Sequence, residues 1–120
     1  MSKIMIVEDE MATVKLLKFM LEKKGYTVVH AENGRVAVDN VLDEKPDLIL
    51  MDVMMPEMDG IQATKIIRED AKTCHIPIIM ISALGQELEV TNGLLAGADS
   101  YVVKPFDSQA LLRLIAEKIS

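Results

Sequence analysis

The sequence predicts an α/β protein in which a doubly wound sheet of five parallel strands alternates with five helices. Five short apolar runs are nearly continuous, as is typical of strands covered on both faces. The stretches between them carry apolar residues every three or four positions, which indicates amphipathic helices. Strands and helices that alternate about every 20 to 25 residues form parallel β-α-β units with right-handed crossovers.

The first unit begins with the strand Lys3–Val7. A helix is predicted over residues 11–24, and Gly25 ends it directly after two lysines. In the second unit, the strand Thr27–His30 precedes a helix that Asn33 caps. The apolar positions of these two helices are Val14, Leu17, Met20, Leu21, Val36, Val41 and Leu42.

The third unit consists of the strand Asp47–Met51, a loop over residues 52–59 and a helix that Asp59 caps. The fourth strand is Pro77–Ile81. The helix that follows it, over residues 86–96, is the least favourable element because an Asn-Gly pair inside it lowers the helix propensity.

The fifth unit consists of the strand Ala98–Val103 and a helix that Asp107 caps. The apolar positions of the third and fifth helices are Ile61, Ile66, Ile67, Leu111, Leu112, Ile115 and Ile119. No linker, repeat or low-complexity tract separates the units, so residues 1–120 are expected to form one domain.

Four of the five strands end on a charged or hydroxyl residue. Glu8 and Asp9 follow the first strand, and Asp52, Ser82 and Lys104 follow the third, fourth and fifth. Because parallel strands share one carboxyl edge, these four strands should be neighbours and the second strand should lie at the margin of the sheet. The flavodoxin-like order 2-1-3-4-5 satisfies this requirement. It places the acids where the strand order reverses, which is where ligands bind in open α/β sheets.

Three carboxylates at one point of the sheet are expected to hold a cation. Glu8, Asp9 and Asp52 would repel one another unless one is protonated or a cation lies between them. Hard oxygen ligands with positions left for water suit Mg²⁺. The alternative is that the acids cap the following helices, as Asp9 could, but Asp52 has no helix start within reach.

Lys104 and Ser82 would lie beside these acids and could contact a phosphoryl group. A lysine supplies a point charge for a phosphoryl oxygen, and a serine hydroxyl supplies a hydrogen bond. Each has a simpler interpretation when taken alone. Lys104 could be a strand-end lysine whose stem lies along apolar surface, and Ser82 could cap a helix.

Four segments, in this order and at this spacing, resemble the receiver domain of bacterial response regulators. The resemblance covers essentially all 120 residues and is greatest for single-domain regulators of the chemotaxis type. The matching segments are IMIVEDE (4–10), PDLILMDVMMPEMDG (46–60), IPIIMISA (76–83) and GADSYVVKPF (97–106).

The resemblance implies a phosphorylation site built around Asp52. Asp52 would accept the phosphoryl group. Asp9, Asp52 and the backbone carbonyl of Met54 would bind Mg²⁺, with Glu8 assisting through a water molecule. Glu8 stands where the family more often has aspartate, and its longer side chain makes direct ligation less favourable.

The resemblance also implies a conformational switch. Ser82 and Lys104 would contact the phosphoryl oxygens, and the Lys104–Pro105 peptide would be cis. Tyr101 would swing inward as Ser82 moves, which would change the surface formed by the fourth helix, the fifth strand and the fifth helix. Ser82 replaces the commoner threonine and keeps the hydrogen-bond donor.

We therefore expect a cytoplasmic phosphoacceptor module of a two-component phosphorelay. Its donor would be a histidine kinase or a histidine phosphotransfer protein, and its output would be a downstream protein target. It would catalyse only its own phosphorylation and dephosphorylation, so it would not be an enzyme acting on a separate substrate. Whether it works alone or as part of a longer regulator stays open.

Two other functions fit the same fold less well. A Mg²⁺-dependent phosphatase with an aspartyl nucleophile usually needs a second acid two residues after it, where this chain has Met54. A flavin-binding module needs a phosphate loop rich in Ser, Thr and Gly after the first strand, where this chain has Glu8, Asp9 and Glu10.

Composition and charge narrow the choice of partners. The formal net charge of −6 argues against binding to a nucleic-acid backbone, which requires a basic face. No apolar segment approaches the ~18 residues needed to cross a bilayer. The lone Cys74 permits no internal disulfide, as is usual in reducing compartments. His30 and His75 are isolated from any ligand partner in the sequence and are expected to face solvent.

Overall fold

A computed structural model describes residues 2–120, and it confirms the predicted alternation of strands and helices. The strands are β1 (Lys3–Val7), β2 (Thr27–Ala31), β3 (Leu48–Asp52), β4 (Ile78–Ser82) and β5 (Ser100–Val103). The helices are α1 (Met11–Lys23), α2 (Gly34–Glu44), α3 (Gly60–Glu69), α4 (Glu87–Ala96) and α5 (Ser108–Ile119). Within the described residues, no helix combines the length and apolar character needed to cross a membrane.

The strands pair in parallel in the order β2-β1-β3-β4-β5, which confirms the flavodoxin-like order and the expected place of the second strand at the edge of the sheet. The order reverses between β1 and β3, so the carboxyl ends of these two strands flank the crevice typical of ligand sites in open α/β sheets. In the ladders, Asp52 pairs with Ile81 and Ser82 pairs with Val103. These registers bring the ends of β3, β4 and β5 to the same edge.

Alternate residues of the strands pack against helices on opposite faces of the sheet. Met5, Ile49 and Met80 pack with apolar residues of α2, α3 and α4 on one face. Ile6 and Leu50 pack with apolar residues of α1 and α5 on the other. Because both faces are covered, every residue of β3 and β4 is buried, which explains why these strands show no polar alternation.

Four of the five predicted strands have boundaries that are wrong by one or two residues. β2 ends one residue later than predicted, at Ala31, and β4 is shifted by one residue, to Ile78–Ser82. β3 starts at Leu48 and includes Asp52, so the acid closes the strand instead of following it. β5 starts at Ser100 because the N–H groups of Gly97 and Ala98 still bond to carbonyls of α4.

Two of the apolar helix positions identified in the sequence do not belong to the buried face of their helices. Ile66 and Leu42 are 38% and 42% exposed. Each lies beside the buried stripe of its helix, and periodicity alone does not separate a stripe residue from its neighbour when both are apolar. The buried stripe of α3 consists of Gly60, Ala63, Thr64 and Ile67.

Three predicted helix caps are confirmed. Asn33, Asp59 and Asp107 each accept a hydrogen bond from a backbone N–H two or three residues later. At α1, however, Glu10 occupies the cap position and its side chain makes no capping hydrogen bond. Asp9 is therefore not a helix cap, which excludes the alternative to a role in cation binding given above for this acid.

The guanidinium of Arg68, near the end of α3, joins several elements at the amino edge of the sheet. It donates hydrogen bonds to the backbone carbonyls of Gly97, Cys74 and Ile76 and to the carboxylate of Asp99. The same Asp99 oxygen accepts the N–H of Ile78 at the start of β4. One side chain thus connects α3, the end of α4 and the starts of β4 and β5.

Candidate functional site

The three acids predicted to share one site lie together at the carboxyl edge of the sheet. Each of Glu8, Asp9 and Asp52 offers a carboxylate oxygen, and these oxygens lie within 4.8 Å of one another. Glu8 and Asp52 are only 3% and 8% exposed, whereas Asp9 faces solvent. They converge because β1 and β3 are neighbours, so residues 44 positions apart in the sequence meet at the point where the strand order reverses.

Lys104 completes this cluster. Its Nζ lies 2.9 Å from Oε1 of Glu8 and 3.7 Å from Oδ1 of Asp52. Its backbone N–H donates to the carbonyl of Ser82, which holds the end of β5 against the end of β4. The amine therefore points into the acidic site and not along the protein surface. The Lys104–Pro105 peptide is cis, as the resemblance implied.

The pKa values of Asp52 and Lys104 are both raised at this site, for different reasons. Burial, reinforced by the neighbouring Glu8 carboxylate, raises the pKa of Asp52 from 3.8 to about 7, although Lys104 and the Val53 N–H oppose the rise. Partial burial alone would lower the pKa of Lys104, but Glu8 and Asp52 outweigh it and raise that pKa. Without a cation, Asp52 is thus poised to bind a proton near neutral pH.

We expect the metal-free protein to lose stability as the pH rises from about 4 to about 7 and to level off above. Folded Asp52 titrates at about 7 and the unfolded carboxyl near 3.8, so the folded state retains a proton that the unfolded chain has lost. The resulting stabilisation is complete below the unfolded pKa and disappears as the pH passes through the folded pKa. Urea unfolding in EDTA at several pH values measures this slope. The variant Asp52→Asn should lack this component, and an identical slope in both proteins would contradict the assignment.

Ser82 and Tyr101 meet at the segment that follows β4. Ser82 is buried, and its Oγ accepts a hydrogen bond from the N–H of Leu84 at 3.0 Å. The carbonyl of Leu84 in turn accepts the hydroxyl of Tyr101 at 2.6 Å. The Tyr101 ring rests over Gly93 of α4, where any side chain would overlap it. One residue, Leu84, therefore connects the two predicted switch residues.

An open groove extends from the acids toward the β4–α4 segment. It is lined by Asp9, Val53, Met54, Met55, Pro56, Asp59 and Leu84. The side chain of Met54 is largely exposed, and Gly60 lets the loop return over β3, because a Cβ there would overlap the Asp52 carbonyl. The groove therefore lies beside the acidic cluster, with Asp9 as the acid that they share.

The donor set at this site fits a hard divalent cation. Carboxylate oxygens that lie close together, with one acid open to solvent, allow protein ligands and water to share the coordination sphere. A cation would also relieve the repulsion that raises the Asp52 pKa. Glu8 already contacts Lys104 and accepts the N–H of Glu10, which leaves Asp9 and Asp52 as the more available ligands.

One contact of the site was missed from the sequence. The Nε2 atom of His30, at the end of β2, lies 2.8 Å from the backbone carbonyl of Glu8. His30 was predicted to be isolated from any ligand partner, and it does face solvent. The predicted order placed the first and second strands side by side. The register that brings His30 beside the acidic turn is seen only in the structure.

Comparisons with known proteins agree with this geometry. The family model of the response regulator receiver domain matches residues 4–116. Protein PilH of Pseudomonas aeruginosa is 42% identical over 115 residues, which cover 96% of this chain and 95% of PilH.

Two solved structures are also similar. The receiver domain of the P. aeruginosa PAO1 sensor histidine kinase PA1611, which has a magnesium ion coordinated in its active-site cleft, superposes with a TM-score of 0.92 at 33% identity. The match covers 98% of this chain and 97% of that one. The chemotaxis protein CheY4 of Vibrio cholerae superposes with a TM-score of 0.90 at 29% identity, over 98% of each chain. By its sequence, its fold and its cluster of acids and lysine, the chain belongs to the response regulator receiver domains of two-component signalling systems.

Proposed function

We propose that Asp52 accepts a phosphoryl group from the phosphohistidine of a histidine kinase or a histidine phosphotransfer protein. Asp9, Asp52 and the backbone carbonyl of Met54 bind the Mg²⁺ that this transfer needs, and Glu8 assists through a water molecule. The observation that carries the proposal is the convergence of the Asp52 carboxylate with two further acids and the Lys104 amine where the strand order reverses.

Phosphoryl transfer depends mainly on positioning and charge neutralisation. A carboxylate oxygen of Asp52 attacks phosphorus in line. The P–N bond to the donor imidazole breaks, its electron pair stays on the imidazole nitrogen, and a mixed anhydride forms. When bound, Mg²⁺ neutralises charge on the phosphoryl oxygens. Lys104 supplies a second positive charge to these oxygens, and the buried Ser82 hydroxyl supplies a hydrogen bond.

Ser82 and Tyr101 link the phosphorylation site to a surface that binds a protein target. Movement of Ser82 toward a phosphoryl group would break its bond to the Leu84 N–H and disturb the Tyr101 bond to the Leu84 carbonyl. The surface consists of α4, β5 and α5, where Leu88 and Leu95 are 68% and 80% exposed. Phosphorylation then shifts the population between two states of this surface.

The protein acts in this proposal as a cytoplasmic signalling module and not as a phosphatase. Met54 stands where an aspartyl phosphatase needs its second acid, and a thioether cannot transfer a proton to a leaving group. The exposed, unpaired Cys74 is compatible with a reducing compartment.

The test is incubation of the full chain with labelled acetyl phosphate, with Mg²⁺ or with EDTA. We expect incorporation that approaches one phosphoryl group per chain only with Mg²⁺, and no hydrolysis of p-nitrophenyl phosphate. Multiple turnovers of the ester would favour the phosphatase. Equal incorporation of the label with Mg²⁺ and with EDTA would reject the role of the cation.

We expect the aspartyl phosphate of the phosphorylated protein to hydrolyse slowly. Met54 and Leu84, two residues beyond Asp52 and Ser82, are apolar and cannot orient an attacking water. Introducing Met54→Asn should speed the decay of the label several-fold, because an amide can hold water beside the anhydride. Leu95→Asn, on the exposed face of α4, is the matched control and should not alter the decay. A wild-type half-life of seconds would contradict the prediction.

A further inference from the structure

The backbone of Glu8 is held at both of its polar groups by the end of β2. Its N–H donates to the carbonyl of Ala31 at 3.1 Å, which continues the β1–β2 ladder. Its carbonyl oxygen lies 2.8 Å from Nε2 of His30. A carbonyl can only accept, so the ring nitrogen Nε2 carries the hydrogen in this contact. A side chain from an edge strand of the sheet therefore holds the peptide that joins Glu8 to Asp9.

The two acids of this turn are held very differently. Both carboxylate oxygens of Glu8 have partners, since one contacts Lys104 and the other accepts the N–H of Glu10. Within residues 2–120, the carboxylate of Asp9 has neither a hydrogen-bond nor an ion-pair partner, and the residue is exposed. The backbone that carries Asp9 begins with the peptide that joins it to Glu8, and that peptide contains the carbonyl that His30 contacts.

We propose that His30 is a positioning residue of the cation site. By holding the Glu8–Asp9 peptide, it presents the Asp9 carboxylate beside Asp52 before a cation binds, so less conformational freedom is lost on binding. This inference rests on the proposed function, in which Asp9 is a ligand of Mg²⁺. It assigns a role to a side chain of β2, whose other contact with Glu8 is made by the backbone carbonyl of Ala31.

The decisive comparison uses His30→Phe, which keeps a ring without the donor, and His30→Gln, whose amide N–H reaches about as far as Nε2. Titration calorimetry with MgCl₂ should give a dissociation constant about three- to tenfold higher for His30→Phe, the worth of one neutral hydrogen bond. His30→Gln should recover affinity to within about twofold of the wild type. The control is His75→Phe, which changes the second histidine of the chain, located in the loop before β4. It should bind Mg²⁺ like the wild type.

A second measurement needs no metal. The Asp9 amide belongs to the same peptide as the Glu8 carbonyl, so its ¹⁵N order parameter should drop from the ~0.85 of rigid backbone in His30→Phe and recover in His30→Gln. Equal Mg²⁺ affinity and equal Asp9 order in wild type and His30→Phe would overturn the proposal, as would a failure of His30→Gln to rescue either value. If the wild type binds no Mg²⁺, the proposed function fails, and the Asp9 order parameter still decides the role of His30.

Discussion

Replacing Asp52 by asparagine is expected to lower phosphoryl incorporation by roughly 10⁴-fold or more, the scale seen when a nucleophile that acts within a unit is removed. The amide is nearly isosteric and can still accept the Val53 N–H that Oδ1 accepts now. It has no anionic oxygen to attack phosphorus, and it is a poorer ligand for a hard cation. Labelled acetyl phosphate with saturating Mg²⁺ measures the loss.

The fold should survive this change, which makes the result interpretable. Asp52 is buried beside Glu8, and burial together with that carboxylate raises its pKa, so removing its charge relieves repulsion. Above pH 7 we expect Asp52→Asn to be at least as stable as the metal-free wild type. Asp59→Asn is the matched control because Asp59 lines the same groove, and asparagine caps α3 equally well. Incorporation into Asp52→Asn at the wild-type level would reject Asp52 as the acceptor.

Replacing Arg68 by methionine should lower the free energy of unfolding by about 3 kcal/mol. This is the largest effect on stability that we expect from a single substitution outside the core. Methionine keeps the volume of the stem but removes every donor of the guanidinium. The 2.6 Å bond to the Ile76 carbonyl, the 2.8 Å bond to the Gly97 carbonyl and the 2.8 Å pair with Asp99 are all lost. Urea unfolding monitored by circular dichroism gives the difference.

Two further variants identify the origin of this loss. Arg68→Lys keeps the charge, but a single amine cannot reach the three carbonyls and the carboxylate together, so it should recover less than half of the stability. Arg113→Met, on the exposed face of α5, should lie within about 0.5 kcal/mol of the wild type. A loss below about 1 kcal/mol for Arg68→Met would contradict the role assigned to the guanidinium.

The fold and most of the site could be predicted because the relevant signals are local. Continuous apolar runs indicate strands covered on both faces, and Asn33, Asp59 and Asp107 mark helix starts that the structure confirms. The polar residues at the strand ends could be combined into one site because parallel strands share a carboxyl edge. That geometric rule was sufficient to place the second strand at the edge of the sheet and to bring Asp52 and Lys104 together, and the flavodoxin-like order satisfies it.

The contacts that were missed are all non-local. His30 reaches the Glu8 carbonyl because β2 pairs with β1 in one particular register, and the guanidinium of Arg68 finds its partners in the two segments that precede β4 and β5. Periodicity also did not show that Ile66 and Leu42 lie outside the buried stripes of their helices, because the edge of such a stripe depends on how closely the neighbouring helix approaches.

The sequence by itself determined the chemical types at the site, since carboxylates, a hydroxyl and an amine at the ends of strands can serve only a few ligands. The protonation of these groups, and how strongly each one affects its neighbours, follows only from the tertiary structure. Glu8 and Lys104 lie 96 positions apart in the sequence yet form a 2.9 Å contact beside Asp52. Burial and the Glu8 carboxylate raise the pKa of Asp52 to about 7, although Lys104 opposes the rise. The physical reason is that a pKa depends on loss of solvent and on charges a few ångströms away, and no local pattern of residues specifies either.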